Sequence, residues 1–269
     1  MPERILGPLA LPHIVACAAR ERTKDSLRRA LTRRRARLAF ARTDGELIAT
    51  LQTSLVDAVI VDLGQANDET WALAAVARDF PSIPFFAYAA LRPGELPSLA
   101  RAWALEFTDC IAEGLEDDLT RELIAPSTFT VRFATALRGA EARLGLTTPL
   151  QREAWKYIVA QGGRTVRTDA IAEAVGLTRE HLSRRFSAAG APNLKRVIDL
   201  VRVLAAAELA KNPGYDLPDI ARVLEFASAS HLNASCQRLV GVKSVSLARL
   251  RPVDLMDRFV KQGRGRSRS

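Results

Sequence analysis

IAEAVGLTREHLSRRF, residues 171–186, holds two short helical patterns separated by Gly176-Leu177. The first runs from Asp169 to Val175 and stops where a glycine takes the left-handed turn that residues with a Cβ resist. Thr178 then offers a hydroxyl to cap a second helix, Arg179 to Ala188. That helix puts Leu182 and Phe186 on one face and Arg179, Glu180, Ser183 and Arg184 on the others. Two short helices about a tight glycine turn, the second polar and basic on its free face, describe a helix-turn-helix.

Working outward, Pro149 to Gln161 carries Leu150, Trp155, Ile158 and Val159 at helical spacing and ends at Gly162-Gly163. On the other side a long helix is expected over Asn193 to Lys211, with Leu194, Val197, Ile198, Val201, Leu204, Ala205 and Leu209 as its inward stripe. After Asn212-Pro213-Gly214 the first pattern returns: Leu217 to Leu224 is a short helix, Phe226 closes the turn, Ser228 or Ser230 can cap, and His231 to Val240 is a second candidate recognition helix ending at Gly241. Ile171-Ala172 and Ile220-Ala221 occupy equivalent places in the two repeats.

This doubled arrangement resembles the DNA-binding domain of the AraC/XylS family, two helix-turn-helix units bridged by one long helix. The resemblance rests on Ile171-Ala172, Gly176-Leu177-Thr178 and residues 181–186 in the first unit, on Arg202, Ala206 and Leu209 in the connecting helix, and on Ile220-Ala221, Phe226, Ser228, Ser230 and Gly241 in the second. It implies two recognition helices entering successive major-groove segments of double-stranded DNA. Candidate base-reading residues in the first unit are Arg179, Glu180, Ser183 and Arg184, since arginine pairs in bidentate fashion with guanine and glutamate accepts from cytosine. Glu180 equally suits a solvated position near a helix N-terminus. Arg185 is a candidate for phosphate, and His181 and Leu182 read as core or half-buried positions.

The second unit departs from the family pattern. Glu225 stands where glycine usually precedes the phenylalanine, Ala234 where an arginine is usual, and Cys236 where an aromatic usually follows. Its base-reading candidates are the neutral Ser230, Asn233 and Gln237, with Arg238 and Lys243 for phosphate. The expectation is that this unit mainly positions the protein and the first carries most of the specificity.

Charge divides in the same place. Residues 1–144 carry 18 Lys and Arg against 19 Asp and Glu, residues 145–269 carry 21 against 11, and the chain has a net charge of +9. One half is neutral and the other carries the whole excess, as a domain on a polyanion requires. The apolar content of 48% and charged content of 26% are those of a globular protein. No apolar run reaches the length of a membrane span, and the first residues do not read as a secretory signal, so a cytoplasmic, nucleoid-associated location without membrane contact is expected. Cys17, Cys110 and Cys236 stand far apart without metal or disulfide spacing and read as buried thiols. No metal or cofactor is expected. Lys261 to Ser269 has no apolar residue and reads as a mobile basic arm.

In the N-terminal half, short β-type runs alternate with helical stretches, which implies a parallel sheet flanked by helices. The strands are read at His13 to Ala18, Ala36 to Ala41, Asp57 to Leu63, Ile83 to Ala89 and Phe107 to Ala112. Helices are read at Lys24 to Arg34, Gly45 to Leu55, Glu69 to Phe80, Glu95 to Leu105 and from Asp117 onward. This is a flavodoxin-like open α/β sheet, with ligands expected beyond the carboxyl ends of the strands. The layout, and residues 57–63 above all, resembles a response-regulator receiver domain, which implies that Asp62 is a candidate phosphoacceptor. A receiver also needs acidic residues after the first strand to hold a divalent metal, a hydroxyl after the fourth and a lysine after the fifth. Here those places read Cys17-Ala18-Ala19, Tyr88-Ala89-Ala90 and Ala112-Glu113, so a degenerate receiver with the fold but not the phosphorelay chemistry is expected.

The domains are thus residues 1–120, receiver-like; 121–147, a linker with a helix Val131 to Leu144; 148–258, the all-α double helix-turn-helix; and 259–269, the basic tail. The linker helix suits either a rigid coupling element or a dimer contact, and dimerisation is the favoured expectation because regulators commonly double their half-sites. RNA polymerase and an effector or partner protein at the N-terminal domain are further candidate partners. No catalytic constellation is present, so the chain reads as a non-enzymatic, sequence-specific transcription regulator. Two readings stay open beside it: a regulator controlled by phosphorylation of Asp62, and a non-specific architectural DNA-binding protein.

Overall fold

The structure, a computed structural model, describes residues 10–31 and 35–266. It divides into two compact units: Leu11–Arg132 with Asn212–Tyr215, and Phe133–Lys211 with residues 216–266.

The first unit alternates strands and helices: β1 (His13–Cys17), α1 (Glu21–Leu31), β2 (Arg37–Phe40), α2 (Asp44–Thr53), β3 (Ala58–Asp62), α3 (Asp68–Ala75), β4 (Phe85–Ala89), α4 (Leu96–Ala104), β5 (Asp109–Ala112) and α5 (Asp117–Ile124). The strands form one parallel sheet in the order β2-β1-β3-β4-β5. Strand residues of one parity, Ile14, Ala16, Ala58, Ile60, Phe86, Tyr88 and Ile111, join Leu27 and Leu31 of α1 and Ile124 of α5 in a single core. The other parity, Val15, Val59, Val61 and Ala87, is equally buried. Burial on both faces explains why these strands read as continuous apolar runs rather than as alternations. The flavodoxin-like α/β fold expected from the sequence is therefore the one observed.

The differences are local. The helix expected over Glu69 to Phe80 gives way at Val76 to a 3-10 turn, Val76–Asp79. Pro81 follows, and a residue before proline is pushed out of the helical region. In the helix expected to end at Arg34, residues 32–34 lie outside the described residues.

Two helices replace the single one expected over Val131 to Leu144: α6 (Phe129–Ala136), within which the two units divide, and α7 (Ala140–Arg143). Gly139, at φ +77°, breaks them apart. The start of α6 is fixed from the sheet. Asp57, fully buried, accepts at Oδ1 from Thr130 N (3.1 Å) and Oγ1 (2.5 Å), and at Oδ2 from His13 N (2.8 Å). A carboxylate at a helix N-terminus suits both the orphan N–H groups and the helix dipole.

The second unit is all-α, as expected. It continues with α8 (Pro149–Val159), α9 (Thr168–Ala174), α10 (Arg179–Phe186), α11 (Leu194–Leu209), α12 (Leu217–Val223), α13 (Ala229–Val240) and α14 (Pro252–Arg266). The frame is α11, capped by Asn193 and buried along Leu194, Val197, Leu200, Val201, Val203, Leu204 and Leu209. The last helix corrects the expectation of a mobile arm from Lys261: the helix runs on to Arg266, and residues 267–269 lie outside the described residues. Leu255, Met256 and Phe259 anchor it. Gln262 extends the attachment, its amide nitrogen facing Arg238 O (3.2 Å) and its oxygen facing Gly241 N (3.1 Å), so that it closes the C-terminus of α13.

Candidate nucleic-acid interface

In the first helix-turn-helix, α9 buries Ile171 and Ala172, Gly176 takes φ +68°, and Leu177 N donates to Ala172 O at 2.9 Å. Thr178 caps α10 as expected, its hydroxyl accepting from His181 N. Helix α10 buries only Leu182 and Phe186. Arg179, Glu180, Ser183, Arg184 and Arg185 are all exposed, and the guanidinium groups of Arg179, Arg184 and Arg185 have no ion-pair partner among the described residues. His181 is also exposed, which corrects its reading as a packing position: a helix of two turns on one stripe buries i and i+4, and His181 is neither. Gln151 of α8, with no exposed surface, holds the far end of α10 by donating from Nε2 to Phe186 O (2.7 Å) and Ala188 O (3.3 Å).

The second unit repeats this construction. Asp216 caps α12 in a reciprocal box with Asp219. Phe226 N donates to Ala221 O at 2.7 Å, the counterpart of the bond from Leu177 to Ala172. The position before Phe226 is left-handed here too, but its occupant is Glu225, at φ +56°. Arg202 of α11 braces the turn, donating from Nη2 to Leu224 O at 2.7 Å with its guanidinium 4.0 Å from the centre of the Phe226 ring. Burial holds the Arg202 pKa below the ordinary arginine value, against the opposing pull of Asp199 and Glu225. Ser228, not Ser230, is the cap of α13, accepting from His231 N at 3.1 Å.

On α13 and just beyond it, Ser230, Gln237, Arg238 and Lys243 are exposed. Asn233 is half-buried, and its Oδ1 accepts from both Ser244 N (2.9 Å) and Ser244 Oγ (3.2 Å), tying α13 to the turn after it. Arg238 reaches Asp199 of α11, Nη2 to Oδ2 at 3.3 Å.

The carboxyl ends of the strands in the first unit form a different kind of site. Asp62 ends β3 with its side chain 3% exposed, and Arg20, from the loop after β1, clasps it from Nε to Oδ2 (2.8 Å) and from Nη2 to Oδ1 (2.5 Å). Gly64 N also donates to Oδ1, at 3.0 Å. The remaining Arg20 Nη1 donates to Glu113, after β5, at 3.1 Å. The hydrogen bonds that it donates to Asp62 first, and then the charges of Asp62 and Glu113, hold the Arg20 guanidinium protonated even more firmly than an ordinary arginine. These residues do not fit the divalent metal of a receiver, because a fixed cation already occupies both Asp62 oxygens. Sequence reading missed Arg20 because it stopped one residue short, at Ala19. It also missed the roles of Gln151 and Asp199, whose partners lie far away in sequence.

Residues 171–244 match a helix-turn-helix domain family of the AraC type. No curated protein matches the chain in sequence. Among solved structures, a response regulator from Thermotoga maritima is 16% identical, with 43% of this chain and 96% of that one covered and a TM-score of 0.37. Full-length FixJ from B. japonicum is 16% identical over 82% of this chain and 98% of its own, at 0.38. The response regulator StyR is 12% identical over 71% and 98%, at 0.39. The fold of the first unit stands on its own strand order rather than on these likenesses. None of the described helices is long and apolar enough to cross a membrane.

Proposed function

We propose that this chain is a DNA-binding transcription regulator that reads sequence chiefly through α10. One observation carries the reading: α10 buries only Leu182 and Phe186 and leaves Arg179, Glu180, Ser183, Arg184 and Arg185 facing outward, three of them arginines without an ion-pair partner among the described residues. In this assignment Arg179, Ser183 and Arg184 meet base edges, Glu180 accepts from cytosine, and Arg185 reaches phosphate. From the second unit, Ser230 and Gln237 approach the groove and Lys243 approaches the backbone. Asn233 contributes at most its amide nitrogen, since its oxygen holds Ser244. The receiver-like unit serves as a docking or sensory part whose output does not run through a phosphoryl group on Asp62. A homodimer on two half-sites, contact with RNA polymerase and a location on the bacterial nucleoid complete the proposal, and they follow from the class of regulator rather than from geometry.

The test is selection of binding sites from sheared genomic DNA by the full chain, followed by salt titration on the enriched fragments. A recurring sequence over two major-groove segments is expected. Arg184→Ala should weaken binding to it by about 10- to 100-fold, and Gln237→Ala by less. Binding that is uniform over all fragments and only fades with salt would instead make this an architectural DNA-binding protein.

A further inference from the structure

A crevice of about 490 Å³ is bordered by residues 165–169 at the start of α9, by Arg179 at the start of α10, and by α11 and α13. Arg179, Lys195, Arg202, His231 and Arg238 line it, and Asp199 of α11 stands among them. The other carboxylate on the rim, Asp169, has a cation of its own in Arg167, at 3.7 Å. Arg202 is committed to Leu224 O and the Phe226 ring. Arg179 and Lys195 have no ion pair among the described residues, so the cations available to a ligand there outnumber the one carboxylate that faces them.

We propose that Asp199 is an internal stand-in for a DNA phosphate, holding Arg238 in the free protein and releasing it when the duplex backbone enters the crevice. The inference rests on the DNA-binding reading given above and adds a regulation of affinity to it. Three observations support an exchangeable latch rather than a fixed brace. The pair has a single contact, 3.3 Å long, where a guanidinium can make two shorter ones. The Arg238 side chain is 51% exposed, so it can turn outward without being dug from a core. Asp199 belongs to neither recognition helix but lines both this crevice and the adjoining one beside Arg179, Ser183, Lys195 and Arg196, where a backbone passing between the two helices would run.

A phosphate that takes Arg238 leaves Asp199 unpaired beside a second anion, and the resulting repulsion falls alike on every DNA sequence, because phosphate contacts carry no base information. Asp199 therefore weakens binding to unrelated DNA and to the true site by the same factor, and so shortens the time spent on unrelated DNA.

The experiment compares the wild-type chain with Asp199→Asn on two duplexes, one of random sequence and one carrying the selected site, across a salt titration. Asp199→Asn is expected to bind both duplexes about three- to tenfold more tightly at low salt, with a steeper salt dependence, because the repulsion that it removes is screened as salt rises. Arg238→Ala should change little in the wild type and should cancel the gain in the Asp199→Asn background. Asp199→Ser, which cannot mimic the carboxylate, should reproduce the gain if the asparagine alters α13. Variants that melt like the wild type but bind equally well or more weakly, with an unchanged slope, would overturn the latch and leave Asp199 a brace for α13. A wild-type chain that binds neither duplex at the lowest salt would fail at the DNA-binding reading itself, a result distinct from an unchanged slope.

Discussion

Each unit of this chain contains an arginine–aspartate pair near its functional end, and the two are built to opposite purposes. In the receiver-like unit, Arg20 grips both oxygens of Asp62, with the side chains 21% and 3% exposed. In the helical unit, Arg238 touches one oxygen of Asp199, with the side chains 51% and 18% exposed. A bidentate pair whose carboxylate is closed off from water cannot lose its arginine without stranding that charge, whereas a single contact to an arginine half in water is held by little more than its own geometry. The first pair converts what resembles a signalling site into a permanent joint between the loop after β1 and the ends of β3 and β5. The second leaves an arginine available for exchange. The same two residue types therefore give a lock or a latch according to burial and the number of hydrogen bonds.

The most forceful way to break this contrast is to remove Arg20. Arg20→Met should destabilise the first unit by about 3 kcal/mol in denaturant unfolding, because the nearly buried Asp62 keeps its charge and loses its partner. Adding Asp62→Asn should recover most of the loss, since the stranded charge goes with it. A local reporter is at hand in Cys17, at the end of β1, whose thiol burial pushes up to about 12, so that its reactive thiolate is scarce near neutral pH while the unit is closed. Cys236 on α13 is likewise pushed up to about 12, by desolvation. Arg20→Met should speed labelling of Cys17 and leave Cys236 slow. A loss of stability below about 1 kcal/mol, in the range of a surface ion pair, would remove the distinction between the two pairs.

Much of this architecture is legible in the sequence because it is periodic or local. The three central strands, β1, β3 and β4, stand out as apolar runs buried on both faces, and Thr178 and Asn193 sit where helices need their N–H groups capped. The doubled Ile-Ala followed by a left-handed turn locates both recognition helices. The long-range polar contacts were not legible. Arg20 and Asp62 are separated by 42 positions, Asp199 and Arg238 by 39, and Gln151 and Phe186 by 35. Such partners leave no period, and nothing local distinguishes Gln151 from an exposed glutamine. Asn233 shows the reverse difficulty: its place on the recognition helix suggests DNA, but its oxygen closes the turn at Ser244. Helix α14 was hidden because its apolar anchors, Leu255, Met256 and Phe259, lie just before a stretch whose composition alone reads as an arm.

The two turns sharpen the comparison between the repeats at a smaller scale. Gly176 and Glu225 both lie in the left-handed region, at φ +68° and +56°. A residue with a Cβ is disfavoured there by roughly 1–2 kcal/mol, while glycine gives back about half of that through the freedom of its unfolded chain. Gly176→Ala should therefore lower the stability of the second unit by about 1 kcal/mol. Glu225→Gly should raise it by about 0.5 kcal/mol, the gain being limited because Glu225 also acts favourably on the Arg202 charge. Thermal melts of the two variants decide the matter, and a lower melting temperature for Glu225→Gly would mean that its charge outweighs its backbone strain.

The smallest effect is the stability change in Asp199→Asn, and its smallness carries the comparison. Asparagine keeps the shape of the side chain and one oxygen for Arg238, and the arginine it faces is already half in water. Surface pairs of this kind contribute about 0.2–1 kcal/mol at low salt and less at high salt. The variant should therefore unfold within about 0.5 kcal/mol of the wild type, converging with it as salt rises, even while its affinity for DNA increases. That separation of stability from affinity is what a latch requires. A loss comparable to that of Arg20→Met would show that the helical unit depends on its pair as the receiver-like unit does, and the two sites would then differ in address but not in kind.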